Sequence, residues 1–260
     1  MYTSGEHKTT GRILDIIEIL SEHREGMTFT EISNGTEVPK GSLHPLLMTL
    51  CQRHYINYAK EYQKYFMGEM MFVIGNKYVE DVDILQLIRD EMHILSEKVK
   101  ETVFFGVLSG GDVLYLLKVE AESANIRLVS QLGYKWSAYG TGFGKALLSQ
   151  YNIEQLKMLY PEGLKPITPH TITSFETLAI QCEETRRSGF AYESEESTPH
   201  VRCVAVPIKD GDEYLAGMSV AVPVFRYSNE KEVLIKTEMA TARKKIEKIL
   251  HNNRAQWIYS

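Results

Sequence analysis

Ile13, Ile16, Ile17 and Leu20 recur at the spacing of one helix face, and Leu43, Leu46, Leu47 and Leu50 repeat that spacing further on. The first set predicts a helix from about Thr9 to Glu22, the second a helix after Val38-Pro39. Proline disfavours helix at the residue before it, so Val38-Pro39 reads as a turn. Between the two, Thr30 is placed to N-cap a short helix over residues 31–34, with Gly35 as its stop. Tyr55-Ile56-Asn57-Tyr58 and Tyr65-Phe66-Met67 are β-prone runs around the charged tip AKEYQK, a hairpin signal. Helix, helix, helix, hairpin is the order of a winged helix-turn-helix, and it confines residues 1–75 to a small unit of their own.

A different pattern follows. Leu85, Ile88, Met92, Leu95 and Val99 form a heptad-like stripe, which predicts a linker helix over 76–100 with a face for a second copy of the chain. From residue 101 to 260 strands and helices mix. TVFFGVL and VLYLLKVE read as a hairpin closed at Gly110-Gly111, and NIRLVS as a further strand. Thr173-Ser174-Phe175-Glu176 has capping-box spacing for a helix that ends at Gly189. CVAVPIK and YLAGMSVAV are strands joined at Asp210-Gly211, and Ile235, Met239, Ala242, Ile246 and Ile249 mark a final helix. The expected class is α+β in two domains, the second built on a mainly antiparallel sheet with helices packed against it.

Charge narrows the function. The formal net charge is -5, from 29 basic and 34 acidic side chains, which excludes a uniformly cationic nucleic-acid binder. Within residues 38–66, however, Lys40, Arg53, Lys60 and Lys64 stand against Glu61 alone. Positive charge thus collects on the expected recognition helix and wing, where phosphates would lie.

VPKGSLHPLLMTLCQRHYI followed by YFMG resembles the helix-turn-helix and wing of the IclR family of bacterial transcriptional regulators. AYGTGFGKALL, GFAYESEESTPHVRCVAVPI and LAGMSVAVP resemble that family's effector-domain motifs, in the same order and spacing. The resemblance implies a GAF-like second domain, double-stranded operator DNA as partner, and DNA contacts from Thr30, Lys40, Gly41, Ser42, His44 and Lys64. It also implies departures. Glu37 stands where the family has glycine before the turn, Gly41 where it has serine or threonine, and Pro45 where it has arginine. Pro45 removes a backbone donor, so the recognition helix is expected to begin near Leu43 or His44, with Lys40, Gly41 and Ser42 as an approach loop.

Gly140, Gly142, Gly144 and Lys145 invite a nucleotide reading, and the spacing refuses it. A Walker loop would need glycine at 139 and a hydroxyl at 146, where the chain has Tyr139 and Ala146; a dinucleotide loop would need glycine at 145. What remains is a tight turn into a helix over 145–150, whose free N–H groups suit a carboxylate. By resemblance, the effector pocket is lined by Gly140, Thr141, Gly142 and Phe143 with Glu193, Cys203 and Ser219, and walled by Leu128 and Trp136. Ala221 replaces a frequent serine and Phe143 a smaller residue, which favours a flat or apolar effector over a two- or three-carbon acid. Alternatively Phe143 fills the cavity and the protein works without a ligand.

Cys203 with His200, Glu193 and Ser219 could be drawn as a hydrolase, but residues 200 and 203 of an extended strand face opposite ways. The same pair with Glu193 or His170 could be drawn as a zinc site, without recognised ligand spacing. No catalysis, cofactor or metal is expected. The three cysteines, Cys51, Cys182 and Cys203, suit a reducing compartment. With no apolar run near the ~18 residues of a membrane span and no signal-like N-terminus, the expected location is the cytoplasm. Helix-turn-helix proteins read palindromes as two-fold dimers, so a homodimer is expected, and the resemblance to the IclR family implies a dimer of dimers.

Overall fold

A computed structural model describes residues 7–80, 83–121, 135–254 and 257, with side chains for all of these but 76–80 and 83. The chain divides into two compact units, residues 1–81 and 82–260.

The first unit runs α1 (Lys8–Glu22), β1 (Met27–Thr28), α2 (Phe29–Gly35), α3 (Lys40–Gln52), β2 (Ile56–Ala59), β3 (Lys64–Met67) and α4 (Glu69–Glu80). Its core is Ile16 and Leu20 of α1, Ile32 of α2, and Leu43, Leu47 and Leu50 of α3, with Ile56 beneath them. The hairpin forms around the expected tip, pairing Tyr58 with Tyr65 and Ile56 with Met67. A third strand, β1, pairs Met27 with Tyr65 on the other side of β3. Two residues are too short to leave a period in the sequence.

Two local expectations are corrected. The cap of α2 is Thr28, not Thr30: its hydroxyl accepts from the Glu31 N–H while Glu31 Oε2 accepts from the Thr28 N–H at 2.7 Å. A reciprocal capping box satisfies two end donors, and Thr30, one residue inside the helix, can satisfy neither. The helix also does not wait for Leu43. It starts at Lys40, directly after Pro39, and carries Pro45 in its interior. Burial of Leu43, Leu47 and Leu50 on the opposite face holds the helix through Pro45, which lies exposed where its ring meets solvent.

The second unit runs α5 (Asp83–Val99), β4 (Thr102–Ser109), β5 (Asp112–Val119), β6 (Lys135–Ser137), α6 (Gly142–Leu148), α7 (Ile153–Leu159), α8 (Phe175–Ser188), β7 (Ala191–Ser194), β8 (Val201–Asp210), β9 (Glu213–Pro223) and α9 (Asn229–Asn252). The strands form one antiparallel sheet in the order β6-β5-β4-β9-β8-β7. Alternation along β4 sends Val103, Phe105 and Val107 to the face covered by α5 and α9, and Phe104 to the face covered by α6, α7 and α8. Ser174 caps α8 by accepting from the Thr177 N–H, and Gly189 ends it in the left-handed region.

The stripe Leu85, Ile88, Met92, Leu95 and Val99 faces this unit's own core, at 0–7% exposure. It is therefore not the face for a second copy. A period near seven fits packing on α9 and a sheet as well as packing on another chain. The run NIRLVS lies outside the described residues.

Candidate functional site

The sequence places a loop before Lys145, but α6 starts at Gly142, just after a single 3-10 turn at Ala138–Gly140. The start of α6 lies flat on β8 and β9. A Cβ on Gly142 would stand 2.7 Å from the Cys203 Cβ and 3.5 Å from the Ser219 Cβ, so only glycine lets the helix approach this closely.

Between this helix start and the sheet is a cavity of about 70 Å³. Phe104, Tyr115 and Trp136 wall one side, Val201 and Ala221 add apolar surface, and Thr141, Ser197, Thr198, Cys203 and Ser219 supply polar atoms. Strand register brings them together, with Phe104 opposite Ser219 and Cys203 opposite Ala221. No lining residue carries a charge. Of the residues expected here, Trp136, Thr141, Gly142, Cys203, Ser219 and Ala221 gather at the cavity. Leu128 lies outside the described residues.

Three others are placed elsewhere. Gly140 is buried in the 3-10 turn, where an added Cβ would meet Ile167 at 2.7 Å. Phe143 is fully buried, its ring against Gly106 and Gly217 and edge-on to Tyr115 at 4.9 Å. It belongs to the core beneath the cavity and neither walls nor fills it. Glu193 sits behind Cys203, its register partner. Its Oε1 accepts from the N–H groups of Glu196 and Ser197 at 2.5 and 3.2 Å, while Oε2 is buried without a well-formed hydrogen bond among the described residues.

Phe104, Tyr115, Ser197, Thr198 and Val201 were not anticipated as lining residues. Ser197, Thr198 and Val201 lie within the run GFAYESEESTPHVRC, and Phe104 and Tyr115 follow once the strand register is known.

Burial raises the proton affinity of both groups at the site's back wall. Burial pushes the Cys203 thiol well above its usual range, and the carboxylate of Glu193 pushes it further. Burial likewise raises the Glu193 carboxyl. Lys145, which the nucleotide reading had singled out, is a buried cation at 2% side-chain exposure. It pairs with Glu196 and donates to Gln181 Oε1 at 2.8 Å. Burial lowers its pKa, and Glu196 opposes that shift. His200 is exposed, 3.6 Å from Glu195. A protonated thiol without a neighbouring imidazole is a poor nucleophile. Among the described residues, no three His, Cys, Asp or Glu side chains gather as metal ligands.

On the first unit, Lys40, Gly41 and His44 are exposed along the outer face of α3, and Ser42 is half-buried beside them. Thr30 is exposed on the first turn of α2, and Lys60 and Tyr62 at the hairpin tip. Lys64 Nζ donates to the Glu25 carbonyl at 3.1 Å, which ties the cation to the loop before β1. Glu37, at the turn into α3, has φ +53. That left-handed backbone is the reason glycine suits the position.

A helix-turn-helix unit with a basic hairpin, followed by an α+β unit that holds a small cavity, is the build of a ligand-domain transcriptional regulator. Residues 9–59 match the IclR helix-turn-helix domain, and residues 76–248 match the C-terminal domain of bacterial transcriptional regulator IclR. The chain belongs to the IclR family of DNA-binding transcriptional regulators. It is 30% identical over 238 residues to the HTH-type transcriptional regulator KdgR of Escherichia coli, covering 90% of this chain and 89% of that one. Among solved structures it resembles an IclR transcriptional regulator from Alicyclobacillus acidocaldarius, with TM-score 0.82 at 21% identity over 94% of this chain and 99% of that one. It also resembles an IclR homologue from Microbacterium hydrocarbonoxydans complexed with 4-hydroxybenzoate, with TM-score 0.79 at 17% identity over 94% and 99% of the two chains. Among the described residues, no helix is long and apolar enough to cross a membrane.

Proposed function

We propose that this regulator binds a palindromic operator as a homo-oligomer in the cytoplasm, and that a small organic effector in the second unit changes its operator affinity. The observation that carries the effector reading is the cavity beside Gly142, with three aromatic walls and a set of hydroxyls and one thiol but no charged side chain. Such a lining favours a flat molecule with few polar groups, an aromatic carboxylate or phenol before a short aliphatic acid. The structural neighbour bound to 4-hydroxybenzoate supports the same class. An effector that binds one arrangement of the oligomer better than another shifts the population of DNA-competent protein. Leu14 of α1 and Phe72, Val73 and Ile74 of α4 expose apolar surface that a second copy would cover.

Thermal shift and calorimetry with a panel of aromatic and aliphatic carboxylates, 4-hydroxybenzoate included, test the pocket. Gel shifts on a selected operator with and without the hit test the coupling. Binding of glyoxylate or pyruvate in preference to every aromatic acid would remove the flat-effector reading. Cys203 acts as a pocket residue and not as a nucleophile: Cys203→Ser is expected to change ligand binding and no turnover.

A further inference from the structure

We propose that α3 reads its operator through thymine methyl groups, with Met48 as the residue that meets them and Pro45 shaping the ridge beside it. The inference rests on α3 being the helix that enters the major groove. Leu43, Leu47 and Leu50 are buried, so the opposite ridge of α3 is Gly41, Pro45, Met48 and Gln52, all exposed. Met48 is 47% exposed. Nothing lies within 4 Å of a Cβ added to Gly41, so the fold itself does not require glycine there.

Glycine and proline inside a helix both oppose helix formation. Pro45 cannot return an N–H to the Gly41 carbonyl, yet both residues stand exposed on the ridge. What the ridge offers is shape and apolar surface. It carries no arginine or lysine to fork onto guanine, and its bidentate-capable amide, Gln52, stands only at its far end. Cations lie beside the ridge instead, Lys40 at the start of the helix, Arg53 at its end and Lys60 on the hairpin, all exposed. Positive flanks around an apolar ridge complement a groove with phosphates at its rims and methyl groups on its floor. Gly41 lets the backbone approach the base edges, and Met48 is unbranched and adapts to the methyl it meets.

The test uses the full chain. A half-site is selected from a random duplex library, each thymine is replaced in turn by deoxyuridine, and affinity is read by fluorescence anisotropy at fixed salt. Removing the methyl at one or two positions is expected to weaken wild type about fourfold, the value of one buried methyl-sized group. Met48→Ala is expected to bind the thymine and uracil duplexes within about twofold of each other, and Met48→Leu to restore the difference. Met48 is exposed, so both variants should keep the wild-type melting curve. Equal binding of thymine and uracil duplexes by wild type overturns the proposal, as does a methyl dependence that survives in Met48→Ala. Failure to select any duplex overturns it together with the operator-binding reading, and is told apart by that result.

Discussion

A Cβ added to Gly217 would stand 2.9 Å from the Cβ of Phe143, and one added to Gly106 would stand 2.9 Å from the tip of the same ring. Two glycines on neighbouring strands make the slot that this phenylalanine fills. The ring is therefore core. Phe143→Ala should cost about 3–5 kcal/mol in urea unfolding. It should leave the rank order of pocket ligands unchanged. A variant of near wild-type stability that binds bulkier acids would return Phe143 to the pocket wall.

The ion pair of Lys145 and Glu196 is buried at 2% and 6% side-chain exposure. Removing one partner of a buried pair leaves an uncompensated charge, whereas replacing both is far cheaper. Lys145→Met should destabilise by about 3–5 kcal/mol, and Lys145→Met with Glu196→Gln should recover more than half of that loss. Denaturant melts of the two single variants and the double variant check the cycle. Additive losses would mean that the pair is not coupled.

Much of this was legible in the sequence, and the exceptions share a cause. Helix faces and the hairpins announce themselves by period, so α1, α3, β4, β5 and α9 follow from the positions of leucine, isoleucine and valine. The fate of a face does not. The stripe from Leu85 to Val99 has the same period whether it meets a second chain or the unit's own α9. The resemblance places Phe143 in the pocket together with Gly142, yet in a helix adjacent residues point about 100° apart. Thr28 and Thr30 both can cap, and only the reach of Glu31 decides between them. Phe104 and Tyr115 enter the cavity by strand register, a long-range pairing that no local pattern encodes.

Glu193 gives the pH dependence a definite sign. Its folded-state pKa is raised, chiefly by burial, so its protonated form is the one the fold prefers. The stabilising contribution is complete below the unfolded value near 4.5 and is lost as pH rises through the folded value. Glu193→Gln keeps an Oε1 acceptor for the Glu196 and Ser197 N–H groups and removes the titration. The variant should be more stable than wild type at neutral pH, with the difference closing as pH falls to 4. Melting curves at a series of pH values read this directly, and a constant difference across the series would assign the effect to packing.

Glu37 holds a left-handed backbone at the turn into α3, its side chain exposed. A side chain there strains the backbone, and glycine would not, though glycine also frees the unfolded chain. Where φ is ordinary there is no strain to relieve and glycine destabilises; at φ +53 the relief of strain outweighs that loss. Glu37→Gly should stabilise the first unit by about 1 kcal/mol, visible as a raised urea midpoint with an unchanged slope. A lowered midpoint would show that Glu37 makes a contact worth more than its strain.

Lys40 and Lys64 are both cations of the expected DNA face, and the structure separates them. Lys40 is exposed at the start of α3, while Lys64 is half-buried with its ammonium on the Glu25 carbonyl. A free cation that neutralises one phosphate adds about 0.9 to the slope of log affinity against log salt. Lys40→Ala should therefore lower that slope by about one and weaken binding to all duplexes alike, because phosphates carry no sequence. Lys64→Ala should lower the slope by less, because its charge is partly spent within the protein, and should also loosen the hairpin. Anisotropy titrations from low to physiological salt give both slopes. An unchanged slope for Lys40→Ala would take this residue out of the phosphate footprint, and equal losses for the two variants would mean that Lys64 leaves Glu25 when DNA binds.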